Sequence, residues 1–505
     1  MAKTDVVIAG GGPTGLMLAC ELRLAGVEVA VLDRLAGRGG ESRAGGIHAR
    51  TMEVLDQRGI LGGFLDAGQR LQRAHFSALW LDLGRFETRY PFILMVLQAT
   101  IERLLEERAA ELGVRVRWSS EVTGVHQDET GVDVEVRGPE GVKTLRADYL
   151  VGCDGGRSAV RKLAGIGFPG TPATMTAMLG DVALADPPTE WIFQERREHG
   201  SFSVLPFGED WYRVMTNEFD HVADRDAPAT FEELREALVK IAGTDYGMHG
   251  PRWVSRFSDA ARQAAEYRRG RVLLAGDAAH IHFPAGGQGL NMGVQDAVNL
   301  GWKLASVVNG HAPHRLLDSY HAERHPVAEG VLRNTRAQTV LGRPGEQMTA
   351  LREVFGGLIE IDAVNRLLGG MITALDIRYP MGGGHPLLGR RVPDLDLRTP
   401  GGDIRLFGLL HAARPVLLDL GASSGGGLDL AAVAEGWADR VDLVEARCRE
   451  GGWLLPVVGE VPAPAALLIR PDGHVAWAAP VGAAPETPED VALRTALTTW
   501  FGPAR

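Results

Sequence analysis

Arg271-Val-Leu-Leu-Ala-Gly-Asp-Ala-Ala-His-Ile-His-Phe-Pro-Ala-Gly-Gly-Gln-Gly-Leu-Asn291 reads as a buried strand, a glycine turn carrying one carboxylate (Asp277), a second glycine-rich turn and the start of a helix. The chain opens with a different turn of the same general kind. Asp5-Val-Val-Ile-Ala9 is a short apolar run, and Gly10-Gly-Gly-Pro-Thr-Gly15 follows it directly. Leu16, Leu18, Ala19, Leu22 and Leu24 then repeat with helical spacing, and the next apolar run, Val27 to Leu32, ends at Asp33. The order is strand, G-x-G-x-x-G, helix, strand, acid. Glycines allow the tight turn and let backbone N–H groups approach a pyrophosphate, and the helix N-terminus stabilises its charge. An acid about 20 residues on can accept hydrogen bonds from an adenosine ribose. Gly10, Gly12, Pro13, Thr14, Gly15 and Asp33 are therefore candidate nucleotide ligands, and Arg34 either flanks the adenosine or is solvated.

NAD and FAD both satisfy this opening. The rest of the chain separates them, because a nicotinamide dehydrogenase needs only the first turn. Tyr149-Leu-Val-Gly-Cys-Asp-Gly-Gly-Arg-Ser158 is a second strand running into a glycine turn, with Asp154 inside it, and residues 271–291 supply the third. Two such loops far apart in sequence can grip opposite ends of one long dinucleotide.

The three motifs in this order, with Ser42-Arg-Ala-Gly-Gly-Ile-His-Ala-Arg50 and the tail beyond 395, resemble the single-component FAD-dependent aromatic hydroxylases, the group that includes p-hydroxybenzoate hydroxylase. The resemblance is strongest to the subgroup that tailors bacterial aromatic polyketides, the angucycline and anhydrotetracycline hydroxylases, with the rifampicin monooxygenases as neighbours. It covers essentially the whole chain, and its motifs specify cofactor far better than substrate. It implies an α/β fold: a Rossmann-like FAD-binding unit, an inserted mixed-sheet substrate domain and a thioredoxin-like C-terminal domain. It also implies non-covalent FAD, NADPH as co-substrate, and oxygen transfer from a flavin C4a-hydroperoxide to a polycyclic phenol.

The resemblance assigns roles to particular residues. Asp277, after Gly276, matches an acid that bonds the ribityl chain. Asp154 matches the middle motif and serves FAD and NADPH indirectly by holding its turn. Gly287, Gly289, Leu290 and Asn291 would wrap the pyrimidine edge of the isoalloxazine, with the helix near Asn291 aimed at N1 and the C2 carbonyl. Pro284 would lie against the ring face that meets substrate. Arg43 matches an arginine close to the flavin ring, alternatively a helix-end arginine paired with Glu41 or Glu53. Gln98 matches a ribityl contact, although Leu97 stands where the family usually has proline. Val122 matches a backbone contact to adenine. For the substrate, Phe76, Trp80, Phe86, Phe193, Arg196, Trp211 and Arg213 are candidates. Aromatic rings give flat apolar walls, and an arginine among them can face a phenolate. The same residue types equally build ordinary cores and surfaces. The recurrent alternatives within the group are Baeyer–Villiger or ring-opening oxidation and antibiotic inactivation. A non-oxygenating FAD reductase and a flavin-bound sequestering protein lie further off.

Composition bounds the remaining possibilities. A chain of 505 residues, 45% hydrophobic, suggests about three domains. The expected divisions are 1–174 and 269–395 for the two parts of the cofactor unit, 175–268 for the substrate sheet, and 396–505 for the tail. Net charge is −11 with no basic stripe, which argues against nucleic acid and anionic membrane as partners. The three cysteines (Cys20, Cys153, Cys448) are scattered, so neither a disulfide framework nor C-x-x-C chemistry is expected, and a reducing cytoplasm fits. No signal peptide or 18-residue apolar run is visible. His280 and His282 lack a third ligand at metal spacing, so no metal is expected. A monomer or homodimer acting on a small aromatic molecule and dioxygen is the overall expectation.

Helices are expected near Thr51–Leu61, Thr100–Leu112, Phe231–Ala242 and Asn291–Val308. Strands are expected at Val114–Trp118, as a pair around Val132–Val136, at Trp191–Phe193, Phe202–Pro206 and Trp211–Met215, and in the tail at Pro415–Leu420, Val441–Val444 and Leu467–Trp477.

Overall fold

The computed structural model describes residues 4–39, 42–190, 192–207, 210–224, 227–421, 428–448, 452–479 and 489–505. Its centre is the Val6–Ala9 strand, buried at every residue. It pairs in parallel with Tyr149–Gly152 on one side and Val29–Leu32 on the other. Val272–Leu274 continues the sheet beyond Tyr149–Gly152, and Val116–Arg117 closes the opposite edge. A parallel sheet buries both faces and so needs continuous apolar strands, which explains Val-Val-Ile-Ala and Val-Leu-Leu. The three glycine motifs thus leave neighbouring strands of one sheet at the same end.

The Pro13–Leu24 helix starts with proline, whose missing N–H costs nothing at a first turn. The Gln288–Val308 helix packs along it, buried over almost its whole length. Some boundaries differ from the sequence reading. The expected helix near Thr51–Leu61 is two helices, Ala49–Gln57 and Leu61–Ala67, parted where Gly59 adopts φ +69°. The strand pair around Val132–Val136 is a three-stranded sheet of Glu121–Gln127, Val132–Gly138 and Gly141–Ala147. The Val114–Trp118 run contributes only Val116–Arg117. Phe231–Ala242 forms as expected, started by a Thr230/Glu233 capping box and ended by Gly243 at φ +77°.

Residues 175–258 supply a five-stranded antiparallel sheet in the order Phe193–Arg197, Gly200–Pro206, Tyr212–Phe219, Met175–Leu184, Met248–Ser258. Its apolar residues pack under the Phe231–Ala242 helix. Trp191 lies outside the described residues. Further on, Val416–Asp419, Asp442–Glu445, Ala466–Ile469 and Val475–Ala479 form a four-stranded mixed sheet with the Glu489–Phe501 helix against it. No helix among the described residues is long and apolar enough to cross a membrane.

The turn Arg470–His474 drives this last sheet into the cofactor unit. Arg470 is fully buried and donates to both oxygens of Glu323, at 2.6 and 2.8 Å, and to Asp472. Lys303 and Asn299, on the Gln288–Val308 helix, donate to Glu323 at 2.8 and 2.6 Å. The nearby cations hold the Glu323 carboxyl down to about 2 against the opposing effect of burial, which itself brings the Lys303 ammonium down to about 8. Arg58 adds a second grip, donating to Glu21 at 2.6 and 2.8 Å and to the carbonyls of Leu410 and Pro471.

His474 stacks on the Tyr379 ring at 4.2 Å, and burial holds its imidazole down to about 4. It is neutral when folded, whereas the unfolded chain takes up this proton below about 6.5. Its contribution to stability is therefore complete above pH 6.5 and falls as pH drops from 6.5 towards 4. By pH 5 the loss is on the order of 2 kcal/mol. Urea unfolding at pH 7 and pH 5 should show a smaller difference for His474→Gln than for the unaltered chain, and identical differences would contradict a buried neutral imidazole.

Candidate functional site

In the first turn each glycine answers a different steric demand. Gly10 has φ +111°, and a Cβ there would lie 2.2 Å from the Cys153 carbonyl oxygen. A Cβ on Gly15 would lie 2.0 Å from the Gly10 oxygen. Gly12 has nothing within 4 Å, so the turn presents open backbone on that side, at the N-terminus of the Pro13–Leu24 helix. This bare concave backbone fits a pyrophosphate. Asp33 accepts from Gly11 N–H at 2.8 Å and from Leu35 N–H at 2.9 Å. It holds the turn in place, and a carboxylate has lone pairs to spare for a ribose hydroxyl. Arg34 is exposed beside it.

The turn around Gly276, the second of the two that would hold the dinucleotide, meets the first through Thr14. A Cβ at Gly276 would lie 2.6 Å from Thr14 Oγ1, and one at Gly293 would lie 2.2 Å from it. Gly276 has φ +61° and carries Asp277 out to an exposed position in a 3-10 turn. Sequence reasoning missed the residue beneath this turn. Asp296 is fully enclosed, accepting from Gly276 N–H at 3.1 Å, bonded to His280 Nε2 at 2.7 Å, and accepting from Arg324 Nε at 2.6 Å. Arg324 and His280 together hold its carboxyl below the usual carboxylate range, although burial alone would raise it. The signal was present in the sequence: Asp296 is the one acid in the Gln288–Val308 helix.

The Gln288–Val308 helix begins three residues before Asn291, because Gly287 caps it in the left-handed region at φ +66°. Its free first-turn N–H groups therefore include those of Gln288, Gly289 and Leu290. Pro284 is exposed at the start of the preceding turn. Asn291 is buried, accepting from His48 N–H at 2.9 Å and donating to Gly287 O at 2.9 Å. It ties the glycine turn to the segment following Arg43. Burial lowers the His48 imidazole to about 4.

Arg43 is exposed. Glu41, one suggested partner, lies outside the described residues, and Glu53 pairs with Arg50. Gln98 stands next to the Arg43 segment: Oε1 accepts from Ala44 N–H at 3.1 Å, and its backbone N–H donates to Ala44 O at 3.1 Å. Asp154 accepts from Ala159 and Val160 N–H at 2.7 and 3.1 Å and from the Ser158 hydroxyl, so it organises the turn that follows the Tyr149–Gly152 strand. Val122 is buried in the Glu121–Gln127 strand opposite Val136.

The substrate candidates are dispersed. Phe76 and Phe86 are buried with Leu81, Leu83 and Ile372, and a Cβ on Gly369 would lie 2.6 Å from the Phe86 ring. Trp80 is 40% exposed, edge-on to His75. Phe193 packs against Phe202 and Tyr246. Arg196 donates to Arg343 O at 2.9 Å and Thr349 Oγ1 at 2.7 Å. Trp211 lies under Arg252 at 3.5 Å. Arg213 is buried, with its donors on Asp181 and on backbone carbonyls of the Arg43 segment. His280 and His282 also point to different partners, His282 Nδ1 lying 2.7 Å from Phe283 O.

The FAD binding domain family matches residues 3–335, spanning every glycine motif above. The chain belongs to that family. Residues 385–504 match the aromatic-ring hydroxylase C-terminal family. The chain is 51% identical to anhydrotetracycline monooxygenase from Streptomyces rimosus, over 99% of each chain. It is 46% identical to rifampicin monooxygenase from Streptomyces venezuelae, again over 99% of each. The structure of OxyS anhydrotetracycline hydroxylase from Streptomyces rimosus superposes with a TM-score of 0.92 at 49% identity, covering both chains completely. With its two dinucleotide turns interlocked through Thr14, this chain is an FAD-dependent monooxygenase.

The interlock is testable. Gly293→Ala should lower FAD occupancy of the purified protein several-fold, since its methyl group meets Thr14 Oγ1. Adding Thr14→Ala removes that atom and should recover much of the loss, a coupling of about 1 kcal/mol or more. Additive losses in the double variant would show that the contact does not set the spacing.

Proposed function

We propose that this chain is an NADPH- and dioxygen-dependent hydroxylase of a polycyclic aromatic polyketide. The observation that carries the reading is near-full-length likeness to anhydrotetracycline monooxygenase, which extends through the middle sheet and tail as well as the cofactor motifs. FAD held across the two turns would supply the redox chemistry, namely electron transfer from NADPH and activation of dioxygen toward an electron-rich ring.

The chain's own residues bind and orient. The Gly10–Gly15 backbone and Asp33 hold the adenosine and pyrophosphate end. Asp277, exposed at the rim of the second turn, would bond the ribityl chain. The first-turn N–H groups of the Gln288–Val308 helix stabilise negative charge on the pyrimidine edge of the reduced ring. Arg43 attracts the same charge and the pyridine nucleotide. A second reading is antibiotic inactivation by the same oxygen chemistry, supported by the 46% likeness to rifampicin monooxygenase.

The deciding experiment is NADPH consumption by the purified protein under ¹⁸O₂, with anhydrotetracycline, angular phenolic polyketides and rifamycins offered separately. A hydroxylated polyketide carrying one ¹⁸O atom is expected. Label only in a modified rifamycin would favour inactivation, and turnover without label would indicate a reductase. At the residue level, Asp277→Ala should weaken FAD binding about tenfold, the cost of one hydrogen bond to a charged group. Arg43→Ala should retain FAD yet slow its reduction by NADPH. Full FAD occupancy in the first variant, or reduction at the unaltered rate in the second, would remove that residue from its assigned role.

A further inference from the structure

The segment Ser42–Gly46 carries Arg43 and is held from two sides. The cofactor unit holds it through Gln98, whose side chain and backbone bracket Ala44, and through Val96 N–H, which donates to Gly45 O at 3.1 Å. The five-stranded sheet holds it through Arg213. Asp181 pairs with Arg213 across one strand junction and with Trp253 across the next, so the three residues stand side by side on adjacent strands. Asp181 accepts from Arg213 Nε at 2.8 Å, from Arg213 Nη2 at 2.9 Å and from Trp253 Nε1 at 2.9 Å. The guanidinium lies over the Phe207 ring at 4.1 Å and near the Trp253 ring at 5.6 Å.

Held in this way, Arg213 directs its remaining donors across the domain boundary. Nη2 donates to Ser42 O and Nη1 to Arg43 O at 3.4 Å. These carbonyls belong to the two peptide planes on either side of the Arg43 α-carbon. Gln98 takes the N–H of the second plane. With both planes pinned, the Cα–Cβ direction of Arg43 is set. Phe207 closes the contact: its ring lies 3.1 Å from where a Cβ on Gly45 would stand. Only the planar fork of an arginine reaches an acid and two carbonyls at once; an ammonium is a point donor.

We propose that Arg213 is a positioning residue for Arg43, coupling the five-stranded sheet to the segment that faces the flavin. It rests on the placement of Arg43 in the proposed function. Any shift of the sheet when substrate binds is transmitted to Arg43 through the two carbonyls. Arg213 itself touches neither cofactor nor substrate in this role.

Two variants of the full, FAD-loaded chain test it: Arg213→Lys, which keeps the charge but loses the fork, and Trp253→Phe, which keeps a ring but removes one donor to Asp181. FAD per chain should match the unaltered protein, because no residue of the glycine turns changes. Hydrogen exchange of the peptide spanning 42–48 should accelerate about tenfold in Arg213→Lys and less in Trp253→Phe, while the Pro13–Leu24 helix exchanges as before. Stopped-flow reduction of the flavin by NADPH should slow about tenfold, as expected when a reacting partner is misplaced. Unaltered exchange at 42–48, or a loosened segment with unaltered reduction, overturns the proposal. If Arg213→Lys does not fold, Trp253→Phe decides on the same readouts. Failure of the parent reading looks different: NADPH leaves the flavin of the unaltered chain oxidised, and exchange at 42–48 alone then decides whether Arg213 holds the segment.

Discussion

Thr14 is the contact on which the cofactor unit depends. Its hydroxyl occupies the space that side chains at both Gly276 and Gly293 would fill. Three segments remote in sequence therefore meet at one atom: the first turn, the second turn and the long helix behind it. The same tolerance recurs further along the helix pair, where a Cβ on Gly301 would stand 2.4 Å from Glu21 Cβ. Glycines on one helix thus let the other approach along its length. Only that approach brings the Gly10–Gly15 backbone and the Asp277 turn close enough to serve one elongated ligand.

Buried charge then sets how the rest of the molecule is oriented on this pair. Asp296 joins the second turn to His280 and Arg324. About two turns further along the same helix, Lys303 joins Glu323, Arg470 and Asp472 in a set of two cations and two anions with dense hydrogen bonding. Such sets contribute little net stability compared with apolar packing, but each member left without its partner is costly. The geometry is therefore demanding: the long helix, the Asp318–Leu341 helix that supplies Glu323 and Arg324, and the Arg470–His474 turn must be placed together.

What could be read from the sequence followed from the same physics. The glycine turns were legible because their function lies in the backbone, and few other residues permit φ values such as that of Gly10. Boundaries inside glycine-rich runs were not: Gly287 moves the helix start to Gln288, and Gly59 splits one expected helix into two. Asp296 escaped notice because its three partners sit at 276, 280 and 324, and only the fold brings them under one carboxylate. The aromatic and arginine residues of the middle sheet were the least legible. Arg213 carries the residue type expected to face a phenolate, yet its donors go to Asp181 and to carbonyls at 42 and 43. Residue type specifies what a side chain can bond; its strand register and neighbours decide what it does bond.

The C-terminal sheet illustrates that distinction in another way. Dithiol exchange needs two neighbouring thiols, and beyond residue 395 Cys448 is the only cysteine. What this part of the chain brings to the centre of the molecule is instead a charged turn. Arg470 and Asp472 reach Glu323 and Asn299, while Pro471 O accepts from Gln57 at 2.7 Å and from Arg58 at 2.8 Å. Asn299 and Lys303 belong to the Gln288–Val308 helix, which also carries Asp296 beneath the Gly276 turn. The C-terminal sheet is thus tied by buried charge to the helix that holds the Gly276 turn through Asp296, and a change in the Arg470–His474 turn acts on that helix directly.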